Sequence, residues 1–155
     1  MQPFTPAKLI WTEADFEQMS WQDCRLHGIA VIDDFTPHLH ELRLDSDYIF
    51  QWIGFDTPAE QSGHWISPAT LAFEPQRFHL DVPGPGGDWI IGMERTGGDT
   101  TRWTISLNTG GEIVVLAPGF RQYIRRAPVF VATPNQYLET THRGGISFET
   151  SSEQA

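Results

Sequence analysis

Apolar side chains recur at alternate positions between residues 42 and 52, and polar side chains fill most of the positions between them. The apolar set is Leu42, Leu44, Tyr48, Phe50 and Trp52, and the polar set is Arg43, Asp45, Asp47 and Gln51. Successive side chains of a β-strand point to opposite faces, whereas a helix would scatter these residues around its axis. The pattern predicts a long strand with one face on a core and an acidic face in water.

A second alternating segment is followed by a turn and a further apolar segment. Trp103, Ile105 and Leu107 alternate, Gly110 and Gly111 supply a flexible turn, and an apolar segment returns over 112–117. This arrangement is typical of a β-hairpin. Short strands that recur with turn signals between them favour a mainly β fold, and we predict an antiparallel β-sandwich or a half-open barrel.

The remaining segments complete this prediction. Thr12 and Asp15 have the spacing of a helix capping box, and 136–140 fits a helical turn, so we expect one or two short helices. Pro68 lacks a backbone donor, which places its segment at a sheet edge or a bulge. Residues 120–126 fit a helix and a strand equally well. Further strands are predicted at 26–32, 65–73, 78–82, 89–93, 129–131 and 144–148.

Length and composition predict a single domain over residues 1–155. The chain is 39% hydrophobic and contains six Trp and ten Phe, which is enough apolar surface to offset the entropy of ordering it. The proline-containing start, residues 1–10, is expected to be an extended arm. The polar residues 150–155 are expected to be a frayed tail.

The acidic charge narrows the class of partner. Twenty Asp and Glu residues face ten Lys and Arg residues, which gives a net charge of −10. Such a surface repels phosphate backbones, so we expect no binding to nucleic acid. It attracts a basic protein partner through long-range steering. The alternative is that the charge serves solubility alone.

Cysteine usage and hydropathy bear on location. Cys24 is the single cysteine, which excludes an intramolecular disulfide and is typical of a reducing compartment. The first residues carry no apolar run behind a basic patch, and the apolar stretches are too short to span a bilayer. We therefore predict a cytoplasmic protein without membrane contact.

The first candidate site precedes the first long strand and contains Trp21, Asp23, Cys24 and His27. An Asp and a His four positions apart can ligate a metal or form an acid–base pair, and a cysteine of lowered pKa is a nucleophile. In the structural alternative, Asp23 caps a turn, Cys24 packs in the core and His27 bonds to the backbone. We favour that alternative and keep Trp21, Asp23 and His27 as candidate binding residues.

Asp45 and Asp47 form the second candidate site, on the predicted polar face of the long strand. Two carboxylates so near each other can hold a divalent cation or, if they line a cleft, act as an acid–base pair. Neighbours on one strand face do not readily form a cleft. We therefore expect a solvated face that anchors a basic partner.

Three of the nine arginines form the third candidate site, namely Arg121, Arg125 and Arg126. Guanidinium groups at this density can bind a phosphate or a carboxylate through bidentate contacts. They can equally pair with Asp45 and Asp47 across the sheet. The sequence does not choose between the two.

Motifs of familiar enzyme classes are absent from the sequence. It contains no G-x-S-x-G, no P-loop, no G-x-G-x-x-G, no H-E-x-x-H and no paired cysteines for zinc. We therefore predict no metal and no cofactor, and we favour a protein that is not an enzyme.

Four sequence motifs of this chain resemble those of other proteins. They are Trp21-x-Asp-Cys-x-x-His27, Asp45-x-Asp-Tyr-Ile-x-Gln-Trp52, Pro68-Ala-Thr-Leu-x-Phe-Glu74 and Gly119-Phe-x-Gln-Tyr-Ile-Arg125. From Phe16 to Phe148 the chain resembles a group of small uncharacterised bacterial proteins, a likeness that implies no particular activity. More loosely, an Asp followed by a His ahead of a β-rich domain is similar to some immunity proteins of bacterial toxin systems. In their motif His directly precedes Asp, and Gln22 occupies that position here.

Two functions fit these observations. The leading hypothesis is a non-enzymatic binding module, of immunity type, whose acidic face with Asp45 and Asp47 covers a basic protein partner. The alternative is an enzyme or small-ligand-binding protein that uses Asp23, His27 and Asp45 around an aromatic pocket.

Overall fold

The computed structural model describes residues 2–35, 38–54, 62–84, 88–98, 100–132 and 138–152. Within these ranges a 3₁₀-helix spans Glu13–Gln18 and an α-helix, α1, spans Thr140–Arg143. The strands are Ile10–Thr12 (β1), Leu26–Asp34 (β2), Leu39–Ile53 (β3), Gly63–Phe73 (β4), Arg77–Asp81 (β5), Ile90–Thr96 (β6), Arg102–Leu107 (β7), Glu112–Leu116 (β8), Phe120–Ile124 (β9) and Val129–Ala132 (β10).

The strands form two antiparallel sheets. The first has the order β1-β9-β4-β3-β2, with β10 also paired to β4, and the second has the order β5-β8-β7-β6. Leu44 and Phe73 of the first sheet meet Trp103 and Ile113 of the second in one buried cluster. The prediction of a mainly β, sandwich-like fold with short helices is confirmed, as is the hairpin between β7 and β8.

The long alternating strand is present as β3. Leu42, Leu44 and Tyr48 are buried in the core, as the pattern predicts. The pairing with β4 shifts register between Ile49 and Gln51, which is a β-bulge. Trp52 lies beyond that bulge and is 49% exposed, so its predicted place on the core face is wrong.

Pro68 lies in the middle of the first sheet, so of its two predicted places, an edge or a bulge, the edge is wrong. Its strand, β4, pairs with β3 on one side and with β9 and β10 on the other. The carbonyl of Pro68 accepts from Arg125 N at 3.0 Å on the second side. The N–H that proline lacks would face Arg125 on the same side, so the ladder lacks one bond there, at the point where β9 ends and before β10 begins.

The segment after α1 does not form the strand predicted at 144–148. Gly144 and Gly145 have φ of 77° and 83°, a conformation that ends a helix and interrupts an extended chain. Of residues 120–126, which fit a helix or a strand, Phe120–Ile124 form β9. The capping box of Thr12 and Asp15 is present, with the backbone N–H of Thr12 donating to Asp15 Oδ2 at 2.9 Å.

The ends of the chain and the turns complete the fold. Residues 2–9 contain neither helix nor strand, and the Phe4 ring packs against Phe50 and Trp65. Residues 153–155 of the predicted tail, and 136–137 of the predicted helical turn, lie outside the described residues. Among the described residues, no helix combines the length and the apolar character needed to cross a bilayer.

Candidate functional site

Asp45 and Asp47 lie in the interior of the protein, and the prediction of a solvated acidic face is wrong. They project from the face of β3 opposite the core, where the C-terminal segment (residues 138–150) covers them. Asp45 is 0% exposed and Asp47 is 1% exposed. Alternation identifies side chains that share a face, but it does not tell what packs on that face.

Arg143, the last residue of α1, neutralises both carboxylates. Its Nε donates to Asp47 Oδ1 at 2.8 Å, while Nη1 and Nη2 donate to Asp45 Oδ2 and Oδ1 at 2.8 and 2.5 Å. The planar guanidinium thus makes a bidentate contact with Asp45. Sequence reasoning missed Arg143, which lies 98 positions from Asp45, and the following Gly-Gly pair was the one local signal of a special backbone.

Arg125 completes this group from the end of β9. Its Nη2 donates to Asp45 Oδ1 and its Nη1 to Thr70 Oγ1, both at 2.8 Å. The backbone N–H of Ser147 also donates to Asp45 Oδ2, at 3.0 Å. Of the two alternatives for the arginine cluster, pairing across the sheet is therefore confirmed for Arg125. We call Asp45, Asp47, Arg125 and Arg143 the buried charge network.

The buried charge network contains two carboxylates and two guanidinium groups, so its formal charges cancel. Burial would raise the pKa of Asp45, but the hydrogen bonds and charges of Arg143 and Arg125 outweigh it and hold that pKa below its ordinary value. Burial would lower the pKa of Arg143, and the two aspartates raise it instead. A sealed, balanced network has no free charge for a partner, and it holds the C-terminal segment on the sheet.

His27 meets the buried charge network at its solvent side. β2 is bulged between Leu26 and Gly28, and His27 Nε2 lies 2.7 Å from Asp47 Oδ2. A carboxylate accepts hydrogen bonds, so Nε2 carries the proton. The expected bond from His27 to the backbone is therefore wrong, because its partner is a side chain.

Trp21 and Cys24 belong to the core. They are 2% and 0% exposed, and burial raises the pKa of the Cys24 thiol to about 12, which rules out a thiolate nucleophile at neutral pH. Trp21 packs edge-on against Phe120 and donates from Nε1 to Gln122 Oε1 at 2.8 Å. Trp21 therefore does not act as a surface binding residue.

Arg121 lies apart from the buried charge network. It lines a cavity of about 190 Å³ near the start of β9, together with Glu13, Glu41 and Glu74. A hydrogen bond with Tyr123 raises the pKa of Arg121, and the charges of Glu74 and Glu41 add to this effect. Three carboxylates around one guanidinium repel an anion, so this cavity does not suit a phosphate.

Asp23 lies in a different concave site, which we call the aromatic–acidic cleft. The cleft has a volume of about 330 Å³ and is lined by Asp23, Ile49, Trp52, Trp89, Ile90, Ile91 and Asn108. Trp52 is 49% exposed and Ile91 is 56% exposed. Two exposed apolar side chains therefore meet beside an exposed carboxylate.

The backbone holds Asp23 in an unusual conformation. Its φ of 65° falls in the left-handed region, which Asp and Asn adopt more readily than other non-glycine residues. Its N–H donates to Ile90 O at 2.8 Å, and this bond ties the turn to the first residue of β6. The same turn joins the buried Cys24 to the cleft, so the backbone of Asp23 is held from both sides.

His64 lies behind Trp52, with ring centroids 4.7 Å apart. It is 2% exposed, and burial holds its pKa below the ordinary value of 6.5. Protonation therefore favours the unfolded chain. We expect the free energy of unfolding to fall as the pH drops below 6.5 and through the folded pKa, by about 1.4 kcal/mol for each unit of depression.

Urea unfolding at a series of pH values between 7 and 5 measures this loss. His64→Phe keeps the ring contact and should lack the slope that His64 contributes. His40→Gln, which changes a half-exposed imidazole, should retain it. An identical slope in His64→Phe and in the parent protein would contradict the assignment.

The structure does not bring Asp23, His27 and Asp45 into one site. Asp23 lines the aromatic–acidic cleft, His27 contacts Asp47 from a second cavity, and Asp45 is sealed from any ligand. The enzyme alternative that combines these three residues is therefore wrong in its geometry. Within the described ranges, no group of three or more His, Cys, Asp or Glu side chains is placed to hold a metal ion.

Sequence reasoning placed Trp52 on the core face of its strand and did not name Trp89, Ile91 or Asn108 as site residues. Trp89 directly precedes β6, Ile91 belongs to β6, and Asn108 directly follows β7. The second sheet therefore brings these three side chains to the turn that contains Asp23. Comparison of the chain with protein-family models, with curated proteins and with solved structures found no match. The resemblance in the four motifs stays a prediction.

Proposed function

We propose that this protein is a non-enzymatic binding module and that the aromatic–acidic cleft receives an arginine or lysine side chain of a basic protein partner. The observation that carries the proposal is the meeting of half-exposed Trp52 with the exposed carboxylate of Asp23 in one cleft. The aromatic–acidic cleft takes the place of the strand face with Asp45 and Asp47 as the proposed partner site, because those two side chains are buried.

The chemistry of the cleft supports a cationic guest. The face of an indole ring attracts a cation, and this contact contributes about 0.5–2 kcal/mol depending on how far it is desolvated. A carboxylate beside the ring adds a charge-assisted hydrogen bond. Ile91 supplies apolar surface for the methylene stem of a long basic side chain.

The charge of the whole molecule supports the same class of partner. A net charge of −10 accelerates encounter with a basic protein and slows encounter with nucleic acid. A partner of this kind fits the immunity-type role that the resemblance implies. We propose the cytoplasm as the location, and the single, buried, free thiol of Cys24 supports a reducing compartment.

A matched pair of peptides tests the cleft. Gly-Arg-Gly and Gly-citrulline-Gly, each acetylated and amidated at its ends, have nearly the same shape, and only the first is charged. We expect the arginine peptide to shift the indole resonance of Trp52, and we expect Trp52→Ala or Asp23→Asn to weaken its binding about fivefold to thirtyfold. Asn tolerates the backbone conformation of Asp23, so the second change removes charge alone.

Controls change the same chemistry elsewhere. Asp81→Asn removes an exposed carboxylate from β5, and Phe78→Ala removes a partly exposed ring from the same strand. Both variants should bind the arginine peptide as the parent protein does. Equal binding of the citrulline peptide, or an unchanged affinity in Asp23→Asn, would refute the proposal.

A further inference from the structure

A second cavity lies along β2 and shares no described lining residue with the aromatic–acidic cleft. Its volume is about 420 Å³, and the described residues that line it are Leu26, His27, Gly28, Ile29, Val82, Gly84 and Asp88. A water molecule occupies about 30 Å³ in the liquid. The cavity therefore has room for a small organic molecule.

Asp88 is the first polar group in this cavity. It is 6% exposed, and its Oδ1 accepts no hydrogen bond from the part of the chain that the structure describes. The backbone fixes its place, because Asp88 O accepts from Leu26 N at 2.9 Å. Buried polar atoms are nearly always paired, so an unpaired carboxylate oxygen beside a cavity indicates a missing donor.

His27 is the second polar group in this cavity. Its Nε2 donates to Asp47, and Arg143 and the sheet hold Asp47 in place. In the neutral imidazole this arrangement leaves Nδ1 without a proton, so that Nδ1 is an acceptor. Asp88 Oδ1 and, in the neutral imidazole, His27 Nδ1 are therefore hydrogen-bond acceptors, and a ligand complementary to them supplies donors.

We propose that this cavity binds a small ligand that carries a primary ammonium group. Such a group has three donors and a positive charge, which match a carboxylate oxygen and an imidazole nitrogen. The apolar side chains of Leu26, Ile29 and Val82 suit a short alkyl body. A metal ion fits less well, since the described residues offer no group of three His, Cys, Asp or Glu side chains.

The first experiment compares three probes on the intact protein. Propylammonium carries donors and charge, 1-propanol has the same body without the charge, and tetramethylammonium has the charge without donors. We expect propylammonium to shift the ring resonances of His27 and the methyl resonances of Leu26 and Ile29, and to bind at least tenfold more tightly than the other two. Equal binding of 1-propanol would overturn the proposal.

The same probes separate this site from the aromatic–acidic cleft. Tetramethylammonium suits an indole face and should shift Trp52, while it should leave His27 unchanged. Loss of the Trp52 response refutes the cleft alone, and loss of the propylammonium response at His27 refutes the cavity alone. A Gly-Lys-Gly peptide, acetylated and amidated at its ends, that competes with propylammonium at His27 would identify the ligand as a protein side chain, which overturns the assignment to a small free amine.

Variants place the binding at Asp88. Asp88→Asn is expected to weaken propylammonium binding at least tenfold, and Asp81→Asn, an equal loss of charge on β5, should leave it unchanged. Gly84→Leu is the second variant, since a Cβ at Gly84 would meet no atom within 4 Å and the fold should tolerate it. We expect its side chain to reduce the cavity and the binding. Unaltered affinity in either Asp88→Asn or Gly84→Leu would refute the site.

Discussion

Replacing Asp45 by asparagine is expected to lower the free energy of unfolding by about 3–5 kcal/mol, because it removes the carboxylate that pairs with buried Arg125 and one of the two that pair with buried Arg143. Asp45 accepts from Arg125, from both Nη atoms of Arg143 and from the backbone of Ser147. An amide cannot balance the charge of these donors. For a domain of this size the midpoint of thermal unfolding should fall by roughly 6–20 °C.

Urea unfolding followed by tryptophan fluorescence measures the effect. Asp81→Asn, which changes an exposed carboxylate, should stay within about 0.5 kcal/mol of the parent protein. The double variant Asp45→Asn with Arg143→Met should lose less than the sum of the two single changes, because both act on one network. A loss in Asp45→Asn as small as that in Asp81→Asn would mean that the network contributes little.

Replacing Gly63 by alanine is expected to cost about 1–3 kcal/mol or more, because no space exists for its methyl group. A Cβ at Gly63 would lie closer than 3.0 Å to the carbonyl oxygen of Val131 and to the backbone of Ala132. These residues belong to β10, which pairs with β4 at this point. The backbone of β10 would have to move away, and the strand pairing from Val129 to Ala132 would weaken.

Gly92 provides the matched control for this change. It lies within β6, and a Cβ there would meet no atom within 4 Å. Gly92→Ala should be neutral or slightly stabilising, since alanine restricts the unfolded chain more than glycine does. Equal unfolding curves for Gly63→Ala and Gly92→Ala would show that β10 does not pack against β4 in this way.

The sequence predicted the strands better than it predicted their surroundings. The period of two between Leu42 and Tyr48 is a local property, and β3 follows it. Asp45 and Asp47 were assigned to water because charged side chains are rarely buried without a partner. Their partner Arg143 is distant in sequence, and a local pattern contains no information about it.

Pro68 shows the same limit for the backbone. The missing donor of a proline restricts its place in a sheet, and an edge is the usual solution. Here the sheet changes its neighbouring strand, from β9 to β10, at the position of Pro68. Strand order is a tertiary property, so the sequence could not indicate this second solution.

The candidate sites were predicted in part. Asp23 and His27 each line a concave site, but not the same one. Asp88 was not considered, because a single Asp after a glycine-rich stretch of sequence carries no signal of a site. Only its burial beside an open cavity, together with an unpaired oxygen, distinguishes it.

The separation of 98 residues between Asp45 and Arg143 has a consequence for biosynthesis. While a ribosome is still extending the chain through β9 and β10, the outer side of β3 holds two carboxylates, and Arg143 has not yet been made. Without the guanidinium that they share, these carboxylates stay hydrated, because dehydrating an incompletely paired charge is costly. Water therefore stays on the outer face of the first sheet until Arg143 has been synthesised. Contacts that form so late and between residues so distant in sequence are typical of slow folding.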